Sequence, residues 1–172
     1  MKTQHSEIPQ TRSHTLLRQD RINSCTWIGQ GVSDSDEHFA GQTFVCPRSG
    51  ELDRIQLFLS DVRSNGDLLV SLHEFNPTNQ SWGPALAIGR RLVSPQLGNS
   101  WVDFLLDPTR VEAGQAYGFK LAAPDLLVAL AEAVEDHQHP FAFGQEWNAD
   151  TRDQQGRFYQ YFSLAFQVGM RA

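Results

Sequence analysis

The chain has 172 residues, enough for one domain with a sizeable core, and 40% of them are hydrophobic against 20% charged, as in a soluble globular protein. The formal net charge is −6 and Arg90-Arg91 is the only basic doublet, which argues against a nucleic-acid backbone or an anionic membrane as partner. No run approaches the roughly 18 apolar residues of a membrane helix, and residues 1–25 hold no apolar core of about 7–15 residues such as a secretory signal needs, so the expected compartment is the cytoplasm.

Residues 1–20 are polar, contain Pro9 and show no periodicity, and read as a flexible N-terminal arm. Residues 21–172 read as a single domain, because from Arg21 short apolar runs alternate with turn residues in the all-β manner. "SCTWIGQ" and "FAGQTFVC" are the first two strands. They carry Cys25 and Cys46, too few for a disulfide framework or a zinc site of their own, and whether the two thiols pair is open at this level. In "ELDRIQLFLS" the apolar weight falls on Leu52, Ile55, Leu57 and Leu59. "SNG" at 64–66 turns the chain, and "DLLVSLHEF" aligns Leu68, Val70 and Leu72 on one face.

"NPTNQSWGP" is a loop with Asn76-Pro77 and Gly83-Pro84 as breakers, and Trp82 lies in it. "ALAIGRRLV" is a weaker strand and "SPQLGNS" a turn. "WVDFLLD" aligns Val102, Phe104 and Leu106, and "PTRVEAGQ" is the next turn. "AYGFKLA" alternates Tyr117, Phe119 and Leu121 against Gly118 and Lys120. The stretch "PDLLVALAEAVEDHQHP", 124–140, fits either a helix opened by Pro124-Asp125 or a strand "LLVALA" followed by a loop. The last strand, "YFSLAFQV", places Phe162, Leu164, Phe166 and Val168 against Tyr161, Ser163, Ala165 and Gln167. About nine short strands, most with one apolar face, need two packed sheets, and connections this short suit antiparallel pairing. The expected fold is therefore an all-β, antiparallel two-sheet β-sandwich of jelly-roll type.

The succession "GQTFVCPRSGELDRIQLFLS", "GDLLVSLHEF", "GPALA", "WVDFLLDPTRVEAGQAYGFKL" and "SLAFQV" resembles the jelly-roll accessory modules of bacterial proteins that are grouped with carbohydrate-binding-like domains. The resemblance spans about residues 38–168. It rests on structural marks, a Gln-x-Phe strand, a Gly turn and a late hairpin at "VEAGQAYGFKL". It implies a non-catalytic module that takes a glycan or another polyhydroxylated ligand.

The residues themselves offer a matching site. Trp147, Tyr159 and Tyr161 flank a polar stretch that contains Asn148, Asp150, Arg152, Asp153 and Gln154. Rings stack on sugar C–H faces while amides, carboxylates and guanidinium groups bond the hydroxyls, and long polar loops often carry function. The expected contacts are Trp147, Asn148, Arg152, Tyr159 and Tyr161, with Trp82 as a second platform. The alternative is a protein-interaction or assembly subunit, a homo-oligomer or a partner's docking surface, that uses the same aromatics, since Trp, Tyr and Arg also anchor interfaces.

Metal and catalytic signals are thin. His137 and His139 form an H-x-H without the spacing of a following Glu that metal-binding double-sheet barrels use. "SDSDEH", 33–38, has the alternating oxygens of a calcium loop but not its D-x-D-x-D-G frame, so a structural calcium is the only ion considered and no cofactor is expected. G-x-S-x-G is absent. Glu74, Asp103, Glu146 and Asp150 are candidates for a glycosidase carboxylate pair, which sequence alone does not bring together. A non-enzyme is the expectation.

Overall fold

The structure is a computed structural model and describes residues 13–171. Its elements in chain order are β1 (Ser13–Gln19), β2 (Ser24–Gly29), β3 (His38–Val45), β4 (Gly50–Val62), β5 (Gly66–Asn76), β6 (Ser81–Val93), β7 (Ser100–Val111) and β8 (Ala116–Ala122). Then come β9 (Leu127–Val134), β10 (Glu146–Asp150), β11 (Arg157–Tyr159), β12 (Phe162–Leu164) and β13 (Phe166–Arg171). A single 3-10 turn, Pro95–Leu97, connects β6 to β7. All the strand pairings are antiparallel. The all-β, sandwich-like fold expected from the short alternating runs is what forms.

One layer is built around β4, which is long enough to take several partners. Its first half pairs with β13, its second with β9, and β7 runs along its other side. β1 extends this layer beyond β13 and β2 extends it beyond β9, while β12 pairs with the end of β9 on the side that faces β4. The other layer runs β11-β10-β3-β8-β5-β6. The layers join at a single pairing, Gly29 with His38. Between them Phe166 of the first layer meets Phe44, Phe119 and Phe143 with ring centroids 5.6–6.4 Å apart. Leu52, Ile55, Leu57, Leu68, Val70, Leu72, Tyr117 and Leu121 complete the same core, the very positions that the period-2 reading assigned to it.

Several expectations are revised or resolved. Residues 13–19 of the expected arm form β1, an edge strand whose Leu16 and Leu17 pack on the core; the rest of that strand is polar, so it carries no alternation to read. Residues 1–12 of the arm lie outside the described residues. The ambiguous stretch 124–140 contains a strand, β9, because its apolar residues are needed on both faces at the centre of a layer, between β2 and β4; Val128, Ala129, Leu130 and Ala131 are all buried. Trp82 stands in β6 and not in a loop. Pro108, expected in a turn, sits inside β7 where its register against β4 slips, a place that tolerates the missing N–H. The thiols stay apart: Cys25 is exposed and Cys46 is buried, donating its S–H to the Arg48 carbonyl at 3.1 Å.

Replacing Phe166, wholly buried on one layer and touching Phe44 and Phe119 of the other, tests where the core lies. Phe166→Ala is expected to cost about 3–5 kcal/mol, read as a lower urea midpoint with an unchanged slope. A loss below about 1 kcal/mol would mean that the layers are not packed on this ring.

Candidate functional site

Strand alternation decides which side chains leave the core. In the β11-to-β6 layer, one row crosses all six strands on the outer face. Its members pair in turn as Phe158–Trp147, Trp147–Gly41, Gly41–Lys120, Lys120–Ser71 and Ser71–Ile88. The adjoining pairs Ala149–Phe39, Leu69–Ala122 and Leu69–Arg90 lie on the same face to one side. Together Phe39, Leu69, Ser71, Ile88, Lys120, Ala122 and Trp147 line a groove of about 300 Å³. Its floor is low where Gly41, Ser71 and Ala122 carry small side chains or none.

Beside the groove is an aromatic layer that sits on the outer face. Trp82 meets Phe75, His73 and Trp147 edge-on at 5.1–5.6 Å and stacks on Phe158 at 6.2 Å. Two strand glycines make room for it. A Cβ on Gly118 would stand 2.6 Å from Trp82, and one on Gly41 would stand 3.1 Å from Trp147. Glycine inside a strand often marks such a close approach. The Trp147 indole N–H donates to the Gln155 carbonyl at 2.8 Å, so the turn between β10 and β11 holds the ring down, and only 4% of Trp147 is exposed. Trp147 is thus a wall of the groove and not an open platform.

The Lys120 ammonium lies over both indoles, 5.0 Å from the Trp82 ring centre and 5.1 Å from that of Trp147. Burial pulls its pKa below the ordinary lysine value. Burial also lowers His73, which is therefore neutral at pH 7. His73 Nδ1 stands 2.8 Å from the Gly83 carbonyl, an acceptor, so Nδ1 carries the proton. Nε2 must then accept from the Ser71 hydroxyl at 2.7 Å. Ser71 has spent its proton and offers only lone pairs, so the groove presents one fixed acceptor beside one fixed cation.

The sequence-predicted residues divide. Trp147 and Trp82 come together on this face. Asn148, next along β10, points the other way, where Nδ2 donates to Glu146 at 3.0 Å and Oδ1 accepts from Thr26 at 3.3 Å. Tyr159 pairs with Glu146, in the phase opposite to Trp147, and stacks on Phe162 at 5.0 Å. Tyr161 packs against His137 at 4.6 Å. Arg152 is at the turn after β10, its Nε 2.8 Å from Asp36. Neither tyrosine reaches the groove, because a shift of one residue along a strand reverses the face. Phe39, Leu69, Ser71, Ile88, Lys120 and Ala122 were missed. Their strand phase was legible, but only the lateral order of strands makes them neighbours.

The acidic and histidine motifs are engaged locally. Asp34 bonds His38 at 2.8 Å, and Asp36 takes Arg152 and the Thr151 hydroxyl. His139 bonds Asp136 at 2.7 Å while His137 faces Tyr161. Among the described residues no three His, Cys, Asp or Glu side chains converge as a metal site would require.

Behind the groove, on the inner face, lies a carboxyl pair. Glu146 of β10 is fully buried and faces Glu132 of β9, itself 5% exposed, from the opposite layer. Each has one satisfied oxygen: Ser24 donates to Glu132 Oε1 and Asn148 to Glu146 Oε2, both at 3.0 Å. The remaining oxygens, Glu132 Oε2 and Glu146 Oε1, are buried and have no donor. The two side chains face each other, and a proton held between them would supply the missing donor. Burial first, and then Glu132, push the Glu146 pKa well above the ordinary 4.5. Both carboxyls are closed off from solvent, Glu146 fully and Glu132 to 5% exposure, so a saccharide does not reach them as the structure stands.

No protein-family model matches the chain, and no curated protein matches it.

The carboxyl pair has a defined pH signature. A group whose folded pKa is raised contributes stability that is full below its unfolded value and is lost as pH rises through the folded one. Stability attributable to Glu146 should therefore fall as pH climbs above 4.5. Glu146→Gln supplies a permanent N–H to Glu132, and should raise the melting temperature by about 2–4 °C at pH 8 with little change at pH 5. Equal shifts at both pH values would sink the shared-proton account.

Proposed function

We propose that this chain is a non-catalytic binding module whose ligand is a carbohydrate or a similar polyhydroxylated molecule, seated in the groove on the outer face of β10, β3, β8, β5 and β6. The observation that carries this reading is the groove itself. Among the described residues it is the one place where two sequence-predicted aromatics, Trp147 and Trp82, meet a cation and a fixed acceptor, Lys120 and Ser71, beside a groove. A ring ligand laid there would cover Ala122 and Leu69 with its C–H face, against the walls of Phe39 and Trp147. Its hydroxyls would meet the Ser71 lone pairs and the Lys120 ammonium, with the Arg90–Asp67 pair close by on the same face. Pockets that work this way are mostly apolar with a few placed polar groups. The resemblance to carbohydrate-binding-like modules supports the same ligand class.

The assembly reading also has an observation in its favour. Leu86, Ile88 and Leu92 of β6 are 41%, 67% and 69% exposed, and Ile88 borders the groove. β6 ends its layer, and apolar side chains on an end strand invite pairing with another chain.

Two measurements separate these readings. A glycan array probed with the wild type and with Ala122→Phe, which fills the groove floor from outside the core, should show binding to one sugar class that the variant loses. Absence of binding by the folded wild type would remove the glycan reading. Sedimentation of the wild type beside Ile88→Glu should show a monomer in both. An oligomer that dissociates on Ile88→Glu would move the weight to assembly.

A further inference from the structure

The groove holds an asymmetry of charge. Lys120 is at the midpoint of the row that crosses the layer, between Gly41 on β3 and Ser71 on β5. Among the described residues its ammonium has neither an ion pair nor a hydrogen bond. Arg90, on the same face, is held by Asp67, and no acidic side chain lines the groove. The two indoles attract the ammonium but give its N–H groups no lone pair to bond. The neighbouring imidazole of His73 offers no acceptor either, since its Nε2 lone pair is taken by the Ser71 hydroxyl. A cation drawn partly out of water with no anion to neutralise it is an incomplete arrangement, and an incoming anion completes it.

We propose that the ligand of this face is an acidic saccharide, a uronic-acid unit whose carboxylate bonds Lys120 while its ring lies over Ala122 and Leu69. This rests on the binding-module reading above and names the class of sugar. The match is to a carboxylate, since a phosphate or sulfate site gathers several donors, and here the cation is single and the nearby guanidinium is occupied. Ser71, an acceptor only, suits a hydroxyl adjacent to that carboxylate. The depressed Lys120 pKa agrees with this, because a bound carboxylate would restore the charged form that burial disfavours.

The test is calorimetric titration of the full chain with oligogalacturonate and oligoglucuronate, each beside its neutral counterpart of equal length, with sulfated oligosaccharide as a further arm. At least one uronate should bind about 10–100 times more tightly than its neutral counterpart. Lys120→Met keeps the aliphatic stem and removes the charge; it should cost the uronate far more affinity than its neutral counterpart, so that the two converge. Equal wild-type affinity for acidic and neutral forms would overturn the proposal and leave the module reading standing. So would sulfated sugar preferred over uronate, or a uronate preference that survives Lys120→Met. Binding to none of these, on a wild type that the full array also finds inert, would remove both. The wild-type titrations decide the matter even where the variant is unstable.

Discussion

Neighbouring residues of a strand must point to opposite faces, and at Glu146-Trp147 that constraint sets the character of both sides of β10. Trp147 has to face outward to join Trp82, which obliges Glu146 to enter the core. A lone buried carboxylate would be costly. Here the opposite layer supplies Glu132, and a shared proton turns two like charges into a hydrogen-bonded bridge. The buried acid and the outer-face aromatic layer are thus two results of one register. A slip of β10 by a single residue against β3 would put the indole into the core and the acid onto the groove.

The outer face is built by subtraction as much as by addition. Gly41 and Gly118 withhold side chains where the two indoles must lie close to the sheet, and Ala122 keeps the floor of the groove low. What remains is a shallow apolar trough with one cation and one acceptor, on a layer whose backbone groups are already occupied by strand pairing. Specificity on such a surface falls to very few polar atoms, so Lys120 and Ser71 weigh more than their number suggests. The turn between β10 and β11 is part of the construction too, because the Gln155 carbonyl fixes the Trp147 ring through its N–H.

Much of the fold was legible because its signal is local. Leu68, Val70 and Leu72, or Tyr117, Phe119 and Leu121, show their shared face in a window of five residues. β9 was not legible: a strand buried on both faces has no alternation, and its apolar run suits a helix equally well. β1 was missed because an edge strand with two leucines barely departs from a polar arm. The expected aromatics divide in space. Trp147 and Trp82, far apart in the chain, do meet, but Tyr159 and Tyr161 were grouped with Trp147 across a turn whose hydrogen-bond register puts them elsewhere.

The sequence by itself determined the class of fold, the core positions of most strands and the Gly118-Lys120 phase opposite that core, since each follows from a period of two along a continuous stretch. Only the tertiary structure decided that Lys120 lies between Gly41 and Ser71, that two indoles close over it, and that Glu132 meets Glu146. Those are relations between strands distant in the chain. Their lateral order depends on how all the strands satisfy one another's backbone groups at once, and no local window contains it.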